Sequence, residues 1–374
     1  MNVSGRFIIA SNRSLTRRRQ STHTGGSGRG GLFRRIWDSW IPIPTGVGLT
    51  LLGVLQLRRM DRERKRDREE ELWEMKVYKM LPLRSLSRGA GVIAEFPIPE
   101  LLRKPLFSTY SKLFGVDVAE MSEPYDSFCC FADFFTRSLR DGCRPLADSA
   151  IVSPADGRVM ASCKVRSFKI EQVKGATYSI QEFLGRPPHN EKYFEVSFDS
   201  QKVPYKSTWN EYKHQLLKNP KNELYQCVIY LSPGNYHRFH SPADIRVNFR
   251  RHIPGYLMSV NPKIAGILPG LFSMNERVIY TGEWQEGFFS LTAVGATNVG
   301  SIRVYKDDAL TTNRQNETSP LDRELSFTWR KGEEIGEFRI GSTVVLLFEA
   351  PPDFQMDMAP NDTVRVGIGL SKNY

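Results

Sequence analysis

Cysteine is scarce in this chain and follows no pattern. The 374 residues hold five, at 129, 130, 143, 163 and 227, with no CxxC among them. That excludes a disulfide framework and a thiolate zinc site, and it predicts reduced cysteines packed in a core. Acid is missing from the start of the chain. Residues 1–37 carry eight arginines, no lysine and no acidic residue. Most of the overall charge of +11 therefore lies there; residues 38–76 balance to zero, and the rest carries only +3. A nearly neutral body argues against nucleic acid as a partner, because the high basicity belongs to the N-terminus. Long uncharged runs are equally few. Residues 40–57 form one of eighteen residues, which spans about 27 Å as a helix.

These features predict an order of segments. An arginine-rich, Ser/Thr/Gly-rich and acid-free leader at 1–37 has the composition of a mitochondrial presequence. Residues 38–77 read as one transmembrane helix followed by a charged stalk, with Trp37 and Trp40 suited to the interface. More positive charge precedes the span than follows it. The positive-inside tendency then places the N-terminus in the matrix and the body in the intermembrane space. Residues 78–149 read as a helical membrane-associating region. Between 78 and 115, Lys79, Arg84, Arg88, Arg103, Lys104 and Lys112 stand against only Glu95 and Glu100, interleaved with leucine and phenylalanine. The aromatic stripe at 126–140 reads as core.

From about residue 150 the texture changes to short β runs divided by Gly/Pro turns, and 150–374 reads as one β-rich domain. Polar stretches at 201–224 and 306–324 read as surface insertions, the second of them mobile. The expected class is α+β: a β-rich catalytic domain preceded by amphipathic helices and one N-terminal transmembrane helix.

Three short segments carry groups suited to chemistry. Ser153-Pro154-Ala155-Asp156-Gly157 lies between β runs and could be an ordinary turn. His237 and His240 lie in Tyr-His-Arg-Phe-His after the turn Ser-Pro-Gly-Asn. Two loop histidines alone say little, and no third metal ligand stands nearby. Gly341-Ser342-Thr343 precedes Val-Val-Leu-Leu-Phe, with no G-x-S-x-G around Ser342. An Asp, a His pair and a Ser in that order are the ingredients for activating a serine hydroxyl.

Seven or more segments in a fixed order resemble those of the phosphatidylserine decarboxylases, in their mitochondrial membrane-anchored form. They are FxxFFxRxL at 131–139 with Gly142-Cys143-Arg144-Pro145, SPADG at 153–157, YHRFHSP at 236–242 and HIPGYLMSVNP at 252–262. LFSMNERV at 271–278, VGATNVGSI at 294–302 and KGEEIGEF at 331–338 follow, leading into Gly-Ser-Thr. The family's Leu-Gly-Ser-Thr has Ile340 in place of leucine here, which keeps an apolar side chain. The N-terminal third matches in type rather than in motif.

The resemblance implies autocatalytic cleavage between Gly341 and Ser342, with His240 as general base and Asp156 orienting it. Ser342 becomes a pyruvoyl group, a covalent cofactor; no metal is implied. The group would take the amine of phosphatidylserine and give phosphatidylethanolamine and CO2. His237 is the candidate for proton handling or for contact with the substrate carboxylate. The implied partners are a phospholipid membrane and phosphatidylserine. The cleaved α and β chains would stay associated, a homo-oligomer is left open, and no nucleic acid is expected. The implied location is the mitochondrial inner membrane. Three alternatives compete: a membrane-bound serine hydrolase or lipase using Asp156, His240 and an intact Ser342; a tethered β scaffold; and a pyruvoyl enzyme for a soluble amino acid.

Overall fold

The computed structural model describes residues 80–173, 175–185, 208–297, 301–315, 317–339 and 341–372. The expected presequence, the span at 40–57, the stalk and the membrane orientation drawn from them lie outside the described residues. Among the described residues no helix is long and apolar enough to cross a membrane.

Two helices lead in, α1 (Leu83–Glu95) and α2 (Glu100–Phe114). Pro97 and Pro99 separate them, since neither can donate to a helical ladder. α2 stops at Gly115, whose φ of 70° is the left-handed conformation that glycine adopts without steric cost. The basic residues do not all point outward as the sequence suggested. Arg84 donates to the carbonyls of Glu317 (3.0 Å) and Arg314 (2.8 Å), Arg88 to Asn313 Oδ1 (3.4 Å), and Arg103 to the carbonyls of Ile98 and Asp126 (both 2.9 Å). They fasten the helices to the body. What remains outside is largely apolar: Val92, Ile93, Phe96, Leu101, Leu102 and Leu106 are exposed.

Below them α3 (Phe131–Phe135) closes a small aromatic core, as the stripe at 126–140 predicts. Phe107 stacks on Phe134 at 4.5 Å and meets Phe128 edge-on at 6.2 Å, geometries that add to the burial of each ring.

The β body begins with β1 (Gly157–Lys164), the hairpin β2 (Lys169–Val173) and β3 (Ala176–Ser179), and α4 (Ile180–Leu184). α5 (Trp209–Leu216) follows. It corrects the reading of 201–224 as a mere surface insertion. Thr208 and Glu211 form a reciprocal capping box, and Tyr212 and Leu216, four residues apart, face the core. Next come β4 (Glu223–Leu231), β5 (Arg238–His240), β6 (Ile245–Ile253), α6 (Pro262–Ala265), α7 (Leu271–Met274), β7 (Arg277–Trp284) and β8 (Gly287–Val294). The chain ends through β9 (Ile302–Val304), β10 (Leu321–Trp329), β11 (Glu334–Phe338), β12 (Ser342–Ala350) and β13 (Thr363–Val364).

The stretch at 306–324 is also tied down rather than loose. Asp307 is buried, accepts from Tyr280 Oη at 3.0 Å and faces Arg250 at 3.5 Å. Leu321 then enters β10, which pairs with β6.

Eight strands make one antiparallel sheet in the order β10-β6-β7-β8-β12-β4-β1-β13, and β5-β11-β9 make a second. β12 sits in the middle of the large sheet with all nine residues buried, which explains its nearly unbroken apolar sequence. Its one acid is fully satisfied. Glu349 accepts from the backbone N–H groups of Lys218, Asn219 and Phe288 and from Asn222 Nδ2, at 2.7–3.0 Å. A buried carboxylate persists where several donors replace its water.

Candidate active site

The sheet register brings the three chemical segments to one end of β12. Thr343 lies opposite Tyr230, and Tyr230 opposite Arg158. One residue further out, Ser342 lies opposite Leu231, and Gly157 begins β1. Asp156 therefore stands two strands from Ser342, about 10 Å at the usual strand spacing. Gly157 is required there, because a Cβ would run into the Tyr230 carbonyl. His240 ends β5, and its backbone N–H donates to the Pro154 carbonyl at 2.7 Å. That bond fastens the histidine segment to the aspartate segment.

Ser342 is fully buried, and its Oγ has no hydrogen-bond partner among the described residues. Gly341 precedes it with φ of 41°, in the region that costs other residues strain. Thr343, Ser290 and Thr292 have buried hydroxyls of the same kind, so what sets Ser342 apart is its place at the start of β12, directly after Gly341.

His240 is held by two bonds. Nδ1 lies 3.0 Å from the Gly332 carbonyl, which can only accept, so Nδ1 carries the proton. Nε2 lies 3.0 Å from Tyr236 Oη. Burial lowers the imidazole pKa, opposed by the Gly332 bond and by the charges of Glu334 and Asp156. The ring is accordingly neutral, with Nε2 as its basic atom.

Asp156 does not touch that ring. Its Oδ1 accepts from Arg144 Nε at 3.0 Å and from the Val366 N–H at 2.8 Å, and its Oδ2 pairs with Arg144 Nη2. Arg144 also holds Glu120 at 2.7 Å. The expectation that Asp156 orients His240 is thus corrected: the Gly332 carbonyl fixes the ring, and Asp156 acts on it by charge through space. No hydrogen bond joins the side chains of Asp156, His240 and Ser342 in this uncut chain.

His237 is buried beside Phe135, with ring centroids 3.9 Å apart. Its Nδ1 lies 2.9 Å from the Asn235 carbonyl, and Nε2 has no partner among the described residues. Burial pushes its pKa down to about 3, with the Arg137 charge adding to the effect. His237 is neutral and presents a bare nitrogen.

Arg144, Arg137 and Tyr236 stand inside the matched motifs, but their residue types alone give them no role. Each meets the site through a contact that a single sequence does not announce. One further group of possible ligand atoms exists among the described residues, Cys129, Cys130 and Asp133, within 4.8 Å of one another. The Cys129 thiol donates to Asp133 at 2.8 Å, and that bond pushes its pKa up to about 11.

Comparison with known proteins gives the same answer as the motifs. The family model for phosphatidylserine decarboxylase matches residues 131–371. The mitochondrial phosphatidylserine decarboxylase proenzyme of Cricetulus griseus is 44% identical over 309 residues, covering 80% of this chain and 74% of that protein. The proenzyme of the same description from Caenorhabditis elegans is 35% identical over 344 residues, covering 90% and 84%. Proenzyme 1 of Schizosaccharomyces pombe, also described as mitochondrial, is 35% identical over 397 residues, covering 88% and 90%. With its central strand, its buried serine and its matched segments in one order, this chain belongs to the phosphatidylserine decarboxylase family.

Proposed function

We propose that the decarboxylation of phosphatidylserine to phosphatidylethanolamine and CO2, the activity that family membership assigns, is carried out here by a pyruvoyl group made from Ser342. The observation that carries this reading is the buried Ser342 hydroxyl at the start of β12, next to Gly341 in left-handed backbone. A serine hydrolase would need that hydroxyl open to its substrate, and Ser342 is 0% exposed. A serine that attacks its own backbone needs no access from outside.

His240 Nε2 takes the Ser342 proton as Oγ attacks the Gly341 carbonyl carbon, once the ring turns from Tyr236. The Gly341 N-to-C acyl link passes from the Ser342 nitrogen to its oxygen, giving an ester. Removal of the Ser342 α-proton expels the Gly341 carboxylate and leaves dehydroalanine, which tautomerises and is hydrolysed with loss of ammonia. General-base assistance of this kind is worth about 10²–10⁴-fold. Asp156 favours the imidazolium that forms on His240. When present, the pyruvoyl ketone supplies the electron sink for decarboxylation that ordinary side chains lack. His237, neutral with a bare Nε2, accepts a hydrogen bond in that second reaction.

After the cut, the smaller chain begins with β12. Its nine residues pair with β4 on one side, and six of them pair with β8 on the other. Pulling it out would divide the sheet, so the two chains stay together. The exposed apolar side chains of α1 and α2 rest on the bilayer and bring the pocket to the lipid. Leu101 is 92% exposed, Ile93 76% and Phe96 70%, values that packing among the described residues does not explain. The acid-free leader and the mitochondrial relatives support a place on the mitochondrial inner membrane, with the catalytic domain in the intermembrane space.

Intact mass measurement tests the proposal. The purified protein should give a fragment of residues 342–374 whose N-terminus is blocked to Edman degradation. Ser342→Ala should give one uncut chain, and cleavage at this bond in that variant would end the idea.

A further inference from the structure

Arg137 lies on the turn after α3, is 3% exposed, and has no carboxylate partner among the described residues. The other deeply buried arginines differ. Arg250 faces Asp307 and Arg251 pairs with Asp322, while Arg277 spends its donors on the carbonyls of Phe183, Ser273, Asn275 and Glu182. Arg137 uses only Nη2, which donates to the carbonyls of Gly234 (3.0 Å) and Asn235 (3.2 Å). Its Nε and Nη1 have no partner among the described residues, and its guanidinium sits 5.6 Å from the Phe134 ring centroid.

The Asn235 carbonyl that Arg137 holds also accepts from His237 Nδ1. The two side chains thus share one oxygen, and each keeps a buried polar face unused: two donor atoms on Arg137, one acceptor on His237. The carbonyl belongs to the loop that leaves β4 at Leu231, the residue opposite Ser342. A buried cation without a counter-ion costs several kcal/mol, and two carbonyls and a ring face offset only part of that. Such a group is poised for an anion that arrives later.

We propose that Arg137 is a substrate-binding residue, whose Nε and Nη1 donors take up an anionic oxygen of the phospholipid head group while His237 Nε2 accepts from a neighbouring N–H or O–H. This rests on the assignment of Ser342 as the reacting centre. It divides the work that the sequence left to His237 alone. A neutral imidazole with a bare nitrogen does not donate to a carboxylate; a guanidinium does. The phosphatidylserine head group offers two anionic groups, the carboxylate and the phosphodiester.

The experiment uses full-length, self-cleaved enzyme in detergent, as wild type, Arg137→Gln and Arg137→Lys. Two short-chain lipids that lack the amine serve as probes: phosphatidyl-3-hydroxypropionate, which has both anions, and phosphatidylethanol, which has only the phosphodiester. Binding is read as thermal stabilisation and as competitive inhibition. Gel mobility shows whether each variant has cut itself, and hence folded its centre. In Arg137→Gln, KM for phosphatidylserine should rise about 10- to 100-fold, as expected for loss of a charged hydrogen bond. Arg137→Lys should recover part of it. If the carboxylate is held, only phosphatidyl-3-hydroxypropionate weakens by that factor; if the phosphodiester is held, both probes weaken alike. Unchanged KM and unchanged binding of both probes overturn the proposal. So does failure of both variants to cut, which makes Arg137 a structural clamp on the loop. Wild type that neither cuts nor turns over substrate would instead overturn the Ser342 assignment.

Discussion

Acid should unfold this protein partly through His237. The side chain is fully buried, its ring lies against Phe135, and its pKa falls from 6.5 to about 3, chiefly through loss of water. The unfolded chain binds a proton at this residue below about pH 6.5. The folded chain binds it only near pH 3. Between those values the unfolded state holds more protons, so lowering the pH favours unfolding. The contribution is intact above pH 6.5 and lost as pH falls through the folded value. At 1.36 kcal/mol per unit, the loss is about 2 kcal/mol at pH 5 and roughly 5 kcal/mol near pH 3. Urea unfolding at pH 7 and pH 5 measures it, on a Ser342→Ala background that keeps one uncut chain. Adding His237→Asn removes the titrating group. The doubly substituted chain will be less stable at pH 7, but its further loss on going to pH 5 should be smaller by about 2 kcal/mol. His240 and the carboxylates contribute alike to both proteins and cancel. Equal losses in the two would refute the claim that His237 is buried as a neutral base, and with it the division of roles between His237 and Arg137.

Asp156→Asn keeps the shape of the side chain but removes the charge that favours a protonated His240; self-cleavage, followed on gels, should slow by about a hundredfold or more, and near-normal cutting would show that the Gly332 bond suffices. Glu349→Ala removes the acceptor of the buried Phe288 N–H and of the half-buried Lys218 and Asn219 N–H groups, and should cost about 1–3 kcal/mol in denaturant unfolding; no change would mean that water replaces the carboxylate at all of them. Replacing Ile93, Phe96, Leu101 and Leu102 by Asp in a chain beginning at residue 78 should abolish its co-sedimentation with vesicles, since each buried apolar side chain is worth about 1.5–3 kcal/mol. Binding of the unsubstituted chain should survive 0.5 M salt; release by salt would return the role to the basic residues.

The family and its overall reaction were legible in the sequence, because the matched segments stand in one order over most of the chain, while the roles of Asp156, His240 and Ser342 rest on the resemblance. The β-rich body was legible too, because Val-Val-Leu-Leu-Phe and its neighbours have strand-like runs bounded by turns. Tertiary structure alone decided who holds whom. Gly332, which fixes His240, is 92 residues away, and Arg144, which occupies Asp156, is 12 away in another segment. Composition made Arg84, Arg88 and Arg103 look like a surface for anionic lipid, whereas packing turned them onto internal acceptors and left leucine, isoleucine and phenylalanine outside. The physical reason is the same in each case. A side chain's type is local, but its partner is set by which backbone the folded sheet brings within about 3 Å.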